Sequence, residues 1–123
     1  MVSANIAYAK KNGVVKSVHV DSDGEIDALG VELIEYFSEL SNVKSLVVSS
    51  ISTISDGDVE YLDDIDGLTE EQLDFIEYED EQDYIDDMNP SLYYYLYKNL
   101  NWTVCKPNQS EFKDLETILN EEF

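Results

Sequence analysis

The chain is predicted to fold as an α+β domain, an antiparallel sheet of two hairpins with helices packed on one face, carrying an acidic helical insert at about residues 56–90. Three observations lead there. Two pairs of short β-prone segments, one near each end, are each joined by a turn signal, and an amphipathic segment follows each pair. Between the pairs there is no basic residue from Lys44 to Lys98, and the stretch Asp56 to Asp87 alone holds 16 carboxylates.

Ala4 to Tyr8 and Val14 to Val20, separated by Lys10-Lys11-Asn12-Gly13, read as the first hairpin. Asp21-Ser22-Asp23-Gly24 closes it and offers capping oxygens to a helix from about Asp27 to Leu40, with Leu29, Leu33, Tyr36, Phe37 and Leu40 at helical spacing. Asn42 to Ser50 suits a short helix or a buried strand, and the helix is preferred. Ser55-Asp56-Gly57-Asp58 is a turn, and the segment from Asp56 to Gly67 reads as weakly structured. Thr69-Glu70-Glu71-Gln72 supplies an N-cap and an acidic first turn for a helix running towards Asp87, with a break near Glu79 as the alternative. Asn89-Pro90 stops it. Leu92 to Tyr97 and Trp102 to Lys106 form the second hairpin, placing Leu92, Tyr94 and Leu96 on one face and Tyr93, Tyr95 and Tyr97 on the other. Pro107-Asn108-Gln109-Ser110 leads into a final helix that buries Phe112, Leu115, Ile118 and Leu119.

Seven Lys, no Arg and 28 acidic residues give a net charge of −21. That balance argues against direct binding to nucleic acid or to an anionic membrane face, and points to a basic protein partner. Nine Tyr, four Phe and one Trp in a chain that is 43% apolar are enough to build one core, so this is not a disordered acidic tail. A lone cysteine, Cys105, forms no internal disulfide, and neither a signal-peptide pattern nor a bilayer-length apolar run is present, which predicts a reducing host-cell cytoplasm.

The ends of the chain resemble a family of small phage and prophage proteins. In that family a Ser-x-Ile-Ala strand is followed by a His-Trp-Asp-Gly segment, a Gly-x-x-Leu-Leu-x-x-Tyr helix and a C-terminal Tyr-Leu-Tyr…Trp-x-Val hairpin. The matching residues are Ser3, Ile6 and Ala7; His19, Asp23 and Gly24; Gly30, Leu33, Ile34 and Phe37; and Tyr95, Leu96, Tyr97, Trp102 and Val104. The family's Trp is missing, with Val20-Asp21-Ser22 in the gap, and the acidic middle lies outside its pattern. In charge and size, though not in alignable motif, the chain looks like the acidic phage proteins that inhibit CRISPR effectors or restriction enzymes by imitating DNA.

A DNA-binding groove is lined with Lys and Arg, and duplex DNA presents about one charge per 1.7 Å of axis. A helix over Thr69 to Met88 would be about 30 Å long, with Glu71, Asp74, Glu77, Asp80, Asp83 and Asp86 forming a slanted stripe and Leu73, Ile76, Tyr84 and Met88 holding it to the body. The residues assigned to partner binding are Asp63, Asp64, Asp66, Glu70, Glu71, Asp74, Glu77, Glu79, Asp80, Glu81, Asp83, Asp86 and Asp87, with Tyr93 and Tyr95 as aromatic anchors if their strand face is open. The bland alternatives are a solvated acidic face and a tyrosine face that is simply core. A second functional class is an acidic module that sequesters a basic partner without imitating nucleic acid. No catalysis, metal or cofactor is expected: neither Asp21-Ser22-Asp23-Gly24 nor Asp56-Gly57-Asp58 meets the EF-hand pattern, and His19 and Cys105 have no zinc-type spacing.

Overall fold

In the computed structural model, which describes residues 2–123, the predicted first hairpin consists of β1 (Ala4–Ala9) and β2 (Val15–Val20), paired antiparallel from Ala4↔Val20 to Ala9↔Val15. Its turn is closed by the Lys10 N–H on the Val14 carbonyl (2.8 Å) and requires Gly13 at φ +90°, where a side chain would be strained. A π-helical turn (Ile26–Gly30) and α1 (Val31–Tyr36) then bury Ile26, Leu29 and Leu33.

The predicted helix to Leu40 stops four residues short, and tertiary hydrogen bonds give the reason. The Phe37 carbonyl accepts from Trp102 Nε1 (2.8 Å) and the Ser38 carbonyl from the Tyr97 hydroxyl (2.7 Å). Phe37 itself has left the helical region (φ −130°, ψ 43°). The chain restarts as α2 (Leu40–Leu46), the preferred helix, with Val43 and Leu46 buried.

A third hairpin follows where weak structure was expected. β3 (Ile51–Ser55) and β4 (Asp58–Tyr61) are joined by Asp56-Gly57 at φ 52° and 80°. Positive φ at both central residues is the type I′ turn that matches strand twist, and Asp-Gly is among its favoured sequences. A side chain at Gly57 would also run into the Tyr36 ring.

The long acidic helix is not formed. Thr69 and Gln72 make the expected capping box, but on a single 3-10 turn (Glu70–Gln72) that ends at an extended Leu73. Ile76–Tyr78 is instead a strand, β5, paired antiparallel with Val15–Ser17 of β2. Helix begins again only at α3 (Glu81–Asp86), capped by the Asp80 carboxylate on the Asp83 N–H (2.8 Å). Two forces oppose the continuous helix: like charges three and four residues apart each cost a few tenths of a kcal/mol, and Phe75, Ile76 and Tyr78 suit a free sheet edge. The break expected near Glu79 is real, but β5 precedes it.

β6 (Tyr93–Lys98) and β7 (Asn101–Cys105) form the second predicted hairpin, and β8 (Lys113–Asp114) adds to β7 before α4 (Leu115–Glu122). β1 pairs in parallel with β6, from Ala4↔Tyr93 to Tyr8↔Tyr97, fusing the hairpins into one mixed sheet of order β4-β3-β2-β1-β6-β7-β8. β5 shares the outer edge of β2 with β3. The fold is thus α+β as expected, but the sheet is mixed and not purely antiparallel.

Both faces of this sheet are covered. On one, Ile6, Val18, Tyr95, Tyr97 and Trp102 pack against the π-turn, α1, α2 and α4. On the other, Ala7, Val15, Tyr94, Leu96 and Cys105 pack beneath Tyr84 of α3, with Tyr78, Met88 and Phe112 at the margin. Helices on one face alone were predicted; α3 occupies the second. Phe112, assigned to the buried side of the last helix, lies before that helix and joins this second cluster, whereas Leu115 and Ile118 are buried as expected.

A candidate anionic interaction surface

The carboxylates from Asp56 to Asp87 run along the β4 edge, through the loop to β5, and over the second sheet face on α3. β4 is an edge strand on which Asp58 and Glu60 point outwards while Val59 and Tyr61 turn inwards. Charges there discourage pairing with a foreign strand. They were missed as site residues because the hairpin was missed, although Asp56-Gly57 between β-branched segments was its signal.

The stripe of six carboxylates at three-residue spacing is dispersed. Glu71 is on the 3-10 turn and Asp83 on α3, both exposed. Asp74 stays exposed but is tied to the body: its N–H donates to Ser49 Oγ (2.9 Å) and its carboxylate accepts from the Ser50 hydroxyl (2.7 Å). Glu77 pairs with Lys10 (3.1 Å), Asp80 caps α3, and Asp86 accepts from the Gln82 amide (2.9 Å).

Of the remaining candidates, Glu81 pairs with Lys98 (2.7 Å), Asp64 accepts the Asp66 N–H (3.0 Å), and Asp87 accepts from the Tyr78 hydroxyl (2.6 Å). Burial, and then that hydrogen bond, push the Tyr78 phenol well above its ordinary 10.0, so it remains a neutral donor. Asp63, Asp66, Glu70 and Glu79 are exposed, and among the described residues their carboxylates form no ion pair or hydrogen bond, nor do those of Glu71, Asp83, Asp58 and Glu60. Among the described residues, Lys10 and Lys98 pair with the segment through surface contacts of the kind that contribute about 1 kcal/mol at most, and Lys16 lies over the Phe75 ring (4.1 Å), near enough to Glu70 and Glu77 for their charges to act on it.

The surface is held by α3, and α3 is held by Tyr84. That ring is fully buried between Tyr78, Tyr94 and Phe112, and its hydroxyl donates to Asn5 Oδ1 on β1 (2.8 Å). Tyr95 is not an anchor for a partner: it is 0% exposed and its hydroxyl donates to the Gly24 carbonyl (2.8 Å). Tyr93 is half-buried against the same core. The tyrosine face is core, because strand alternation turns it towards α1 and the π-turn.

Among the described residues, no three His, Cys, Asp or Glu side chains converge at metal-ligand range, and no helix is long and apolar enough to cross a membrane. Cys105 is buried, which raises its thiol above the ordinary 9.0. His19 lies 3.8 Å from Asp21 on a half-exposed strand end. Comparison with protein-family models, with curated proteins and with solved structures found no match to this chain.

Proposed function

We propose that the protein is a phage-encoded inhibitor of a host nucleic-acid-targeting defence system, acting in the host cytoplasm as a DNA mimic. A CRISPR effector is the first target class and a restriction enzyme the second. The observation that supports this reading is the set of exposed carboxylates Asp58, Glu60, Asp63, Asp66, Glu70, Glu71, Glu79 and Asp83, which form no ion pair among the described residues. Self-repulsion makes such a surface costly to keep, and a groove lined with Lys and Arg relieves it on binding. The mimic is not a helical ridge. It is a folded edge and face whose charges are held by β4, the 3-10 turn and α3, so affinity is spread over many weak contacts. The reading assigns no catalysis and no cofactor, and inhibition is stoichiometric.

The test is recovery of host complexes on the immobilised protein, followed by displacement with target DNA. Displacement by DNA, and loss of binding when Asp63, Asp66, Glu70, Glu71, Glu79 and Asp83 are changed together to Asn or Gln, support mimicry. Undiminished inhibition by that variant refutes it.

One observation favours a second reading, an acidic module that sequesters a basic partner. Asp74, Asp80 and Asp87 serve internal hydrogen bonds, so the outward charges are irregularly spaced. A partner that target DNA does not displace would decide for sequestration.

A further inference from the structure

β3 and β5 share the outer edge of β2 without meeting. β5 pairs with Val15, Lys16 and Ser17, β3 joins at Val20, and between them neither strand pairs with Val18 or His19. The gap is bridged by the residues that precede the two strands, where Ser49 and Ser50 hold Asp74. Over it lies a hollow of about 320 Å³ whose lining includes Asn5, Ser17, His19, Leu62, Asp74 and Ile76. Strand register sets Asn5 opposite His19 and Ser17 opposite Ile76, so these four side chains share the sheet face on which Tyr84 sits.

Two observations mark the hollow as a site. Ser17 is 1% exposed, and its Oγ is the buried side-chain polar atom that, among the described residues, has no hydrogen-bond partner. The Tyr78 phenol is near enough for Ser17 to act on it, but its proton goes to Asp87 (2.6 Å). An unpaired buried hydroxyl is destabilising, and a polar group supplied from outside relieves it. Leu62 and Ile76, half exposed, are two of the five large hydrophobic side chains that the described residues leave in solvent, and both stand at this one hollow. Its lining includes no lysine, and its one carboxylate is Asp74, whose Oδ2 accepts from Ser50 while Oδ1 has no partner. Lys16, next to Ser17 on β2, emerges on the other sheet face and rests over the Phe75 ring (4.1 Å).

We propose that this hollow receives one long basic side chain, Arg or Lys, of the protein partner, with its stem against Leu62 and Ile76 and its N–H groups on Asp74 Oδ1 and Ser17 Oγ. The inference rests on the proposed function in taking the partner to be a basic protein, which both readings share. An apolar wall beside a carboxylate and a buried acceptor matches a side chain that buries an aliphatic stem and carries a charged head. The volume is at the low end of ligand sites and suits a side chain more than a larger element. A second copy of this chain is disfavoured as the donor by its charge of −21. One seated side chain would give a fixed register to a surface whose other carboxylates are irregularly spaced.

The site is tested on the isolated protein. ¹⁵N-labelled protein is titrated with acetyl-Gly-Arg-Gly-amide, with its lysine counterpart and with its norleucine counterpart, which keeps a stem without charge, at about 0.15 M salt, where charges beyond about 8 Å are screened. Amide shifts are expected at Asn5, residues 17–19, Leu62 and residues 74–76 with a basic peptide, and the tighter of the two identifies the side chain. Asp74→Asn, which keeps an acceptor for Ser50, should weaken binding about tenfold and Ser17→Ala several-fold, whereas Asp83→Asn, which removes an exposed carboxylate on α3, should leave it within about twofold. Equal binding of the norleucine peptide, shifts spread over the whole acidic surface, or an Asp83→Asn loss equal to that of Asp74→Asn overturns the proposal. Ser17→Ala should also melt no lower than the parent, since no hydrogen bond is lost, and a clear fall would show that the hydroxyl is satisfied internally and overturn its role. Asp74 is not among the six carboxylates changed in the mimicry test, so failure here leaves that test standing.

Discussion

Replacing Tyr84 tests whether the acidic face is anchored as described. Its ring is the central piece of the second core, packed edge-on to Tyr78 and Tyr94 at 5.3 and 5.8 Å and stacked on Phe112 at 6.3 Å. Tyr84→Ala leaves a cavity the sheet cannot close, which costs about 3–5 kcal/mol for a buried aromatic. Tyr84→Phe removes only the hydroxyl that donates to Asn5 Oδ1, a loss of about 1 kcal/mol because half-buried Asn5 can turn to water. For 123 residues, an unfolding entropy of about 2.1 cal/mol/K per residue converts 1 kcal/mol into about 4 °C. The Phe variant should therefore melt about 4 °C lower, and the Ala variant more than about 10 °C lower. Thermal and urea unfolding measure both, and hydrogen exchange locates the damage, with amides from Tyr78 to Met88 losing protection first. If the Ala variant costs no more than the Phe variant, α3 is not seated on this cluster. The carboxylates would then belong to a loose tail, and the account of a preformed anionic surface would fail.

Leu100→Gly should raise stability by roughly 0.5–1 kcal/mol, because Gly relieves the positive φ of a two-residue turn; a lower melting temperature would contradict the strain argument. Asp114 accepts from the Asn101 side chain and from the Thr117 hydroxyl and N–H, and these bonds hold its carboxyl below the ordinary 3.8. Its stabilisation is present above that value and lost as pH falls through the lowered pKa, so Asp114→Ala should cost about 1 kcal/mol at pH 7 and almost nothing in strong acid. A gap that stays constant with pH would rule out the charged cap. Raising ionic strength from about 0.01 to 1 M, which shortens the screening length from about 30 to 3 Å, should raise the melting temperature by relieving self-repulsion. A fall on adding NaCl would mean that the few ion pairs outweigh the repulsion.

Much of the local structure was legible because it depends on neighbours in sequence. Alternation and turn residues located β1, β2, β6 and β7, and the same alternation divided Tyr93, Tyr95 and Tyr97 from Tyr94 and Leu96 correctly between the faces. Asp56-Gly57 was equally legible as a hairpin turn and was under-read because of the acidic residues around it. The charge of the middle segment was plain, but its shape was not. Thr69 and Gln72 form a capping box in a helix or in a single turn alike, and the choice between helix and strand for Phe75 to Tyr78 fell to an unpaired edge on β2, some sixty residues earlier in the chain.

Composition and periodicity by themselves determined the class of fold, the sign and extent of the charged surface, and the two terminal hairpins. Tertiary structure alone decided that β1 pairs in parallel with β6, that α1 ends before the Phe37 and Ser38 carbonyls, which Trp102 and Tyr97 claim, and that α3 seals the second sheet face. It also decided which carboxylates are left free. The physical reason is that hydrogen-bonding and hydrophobic patterns state what each segment needs, whereas the partner that meets the need is selected by competition among segments far apart in the chain.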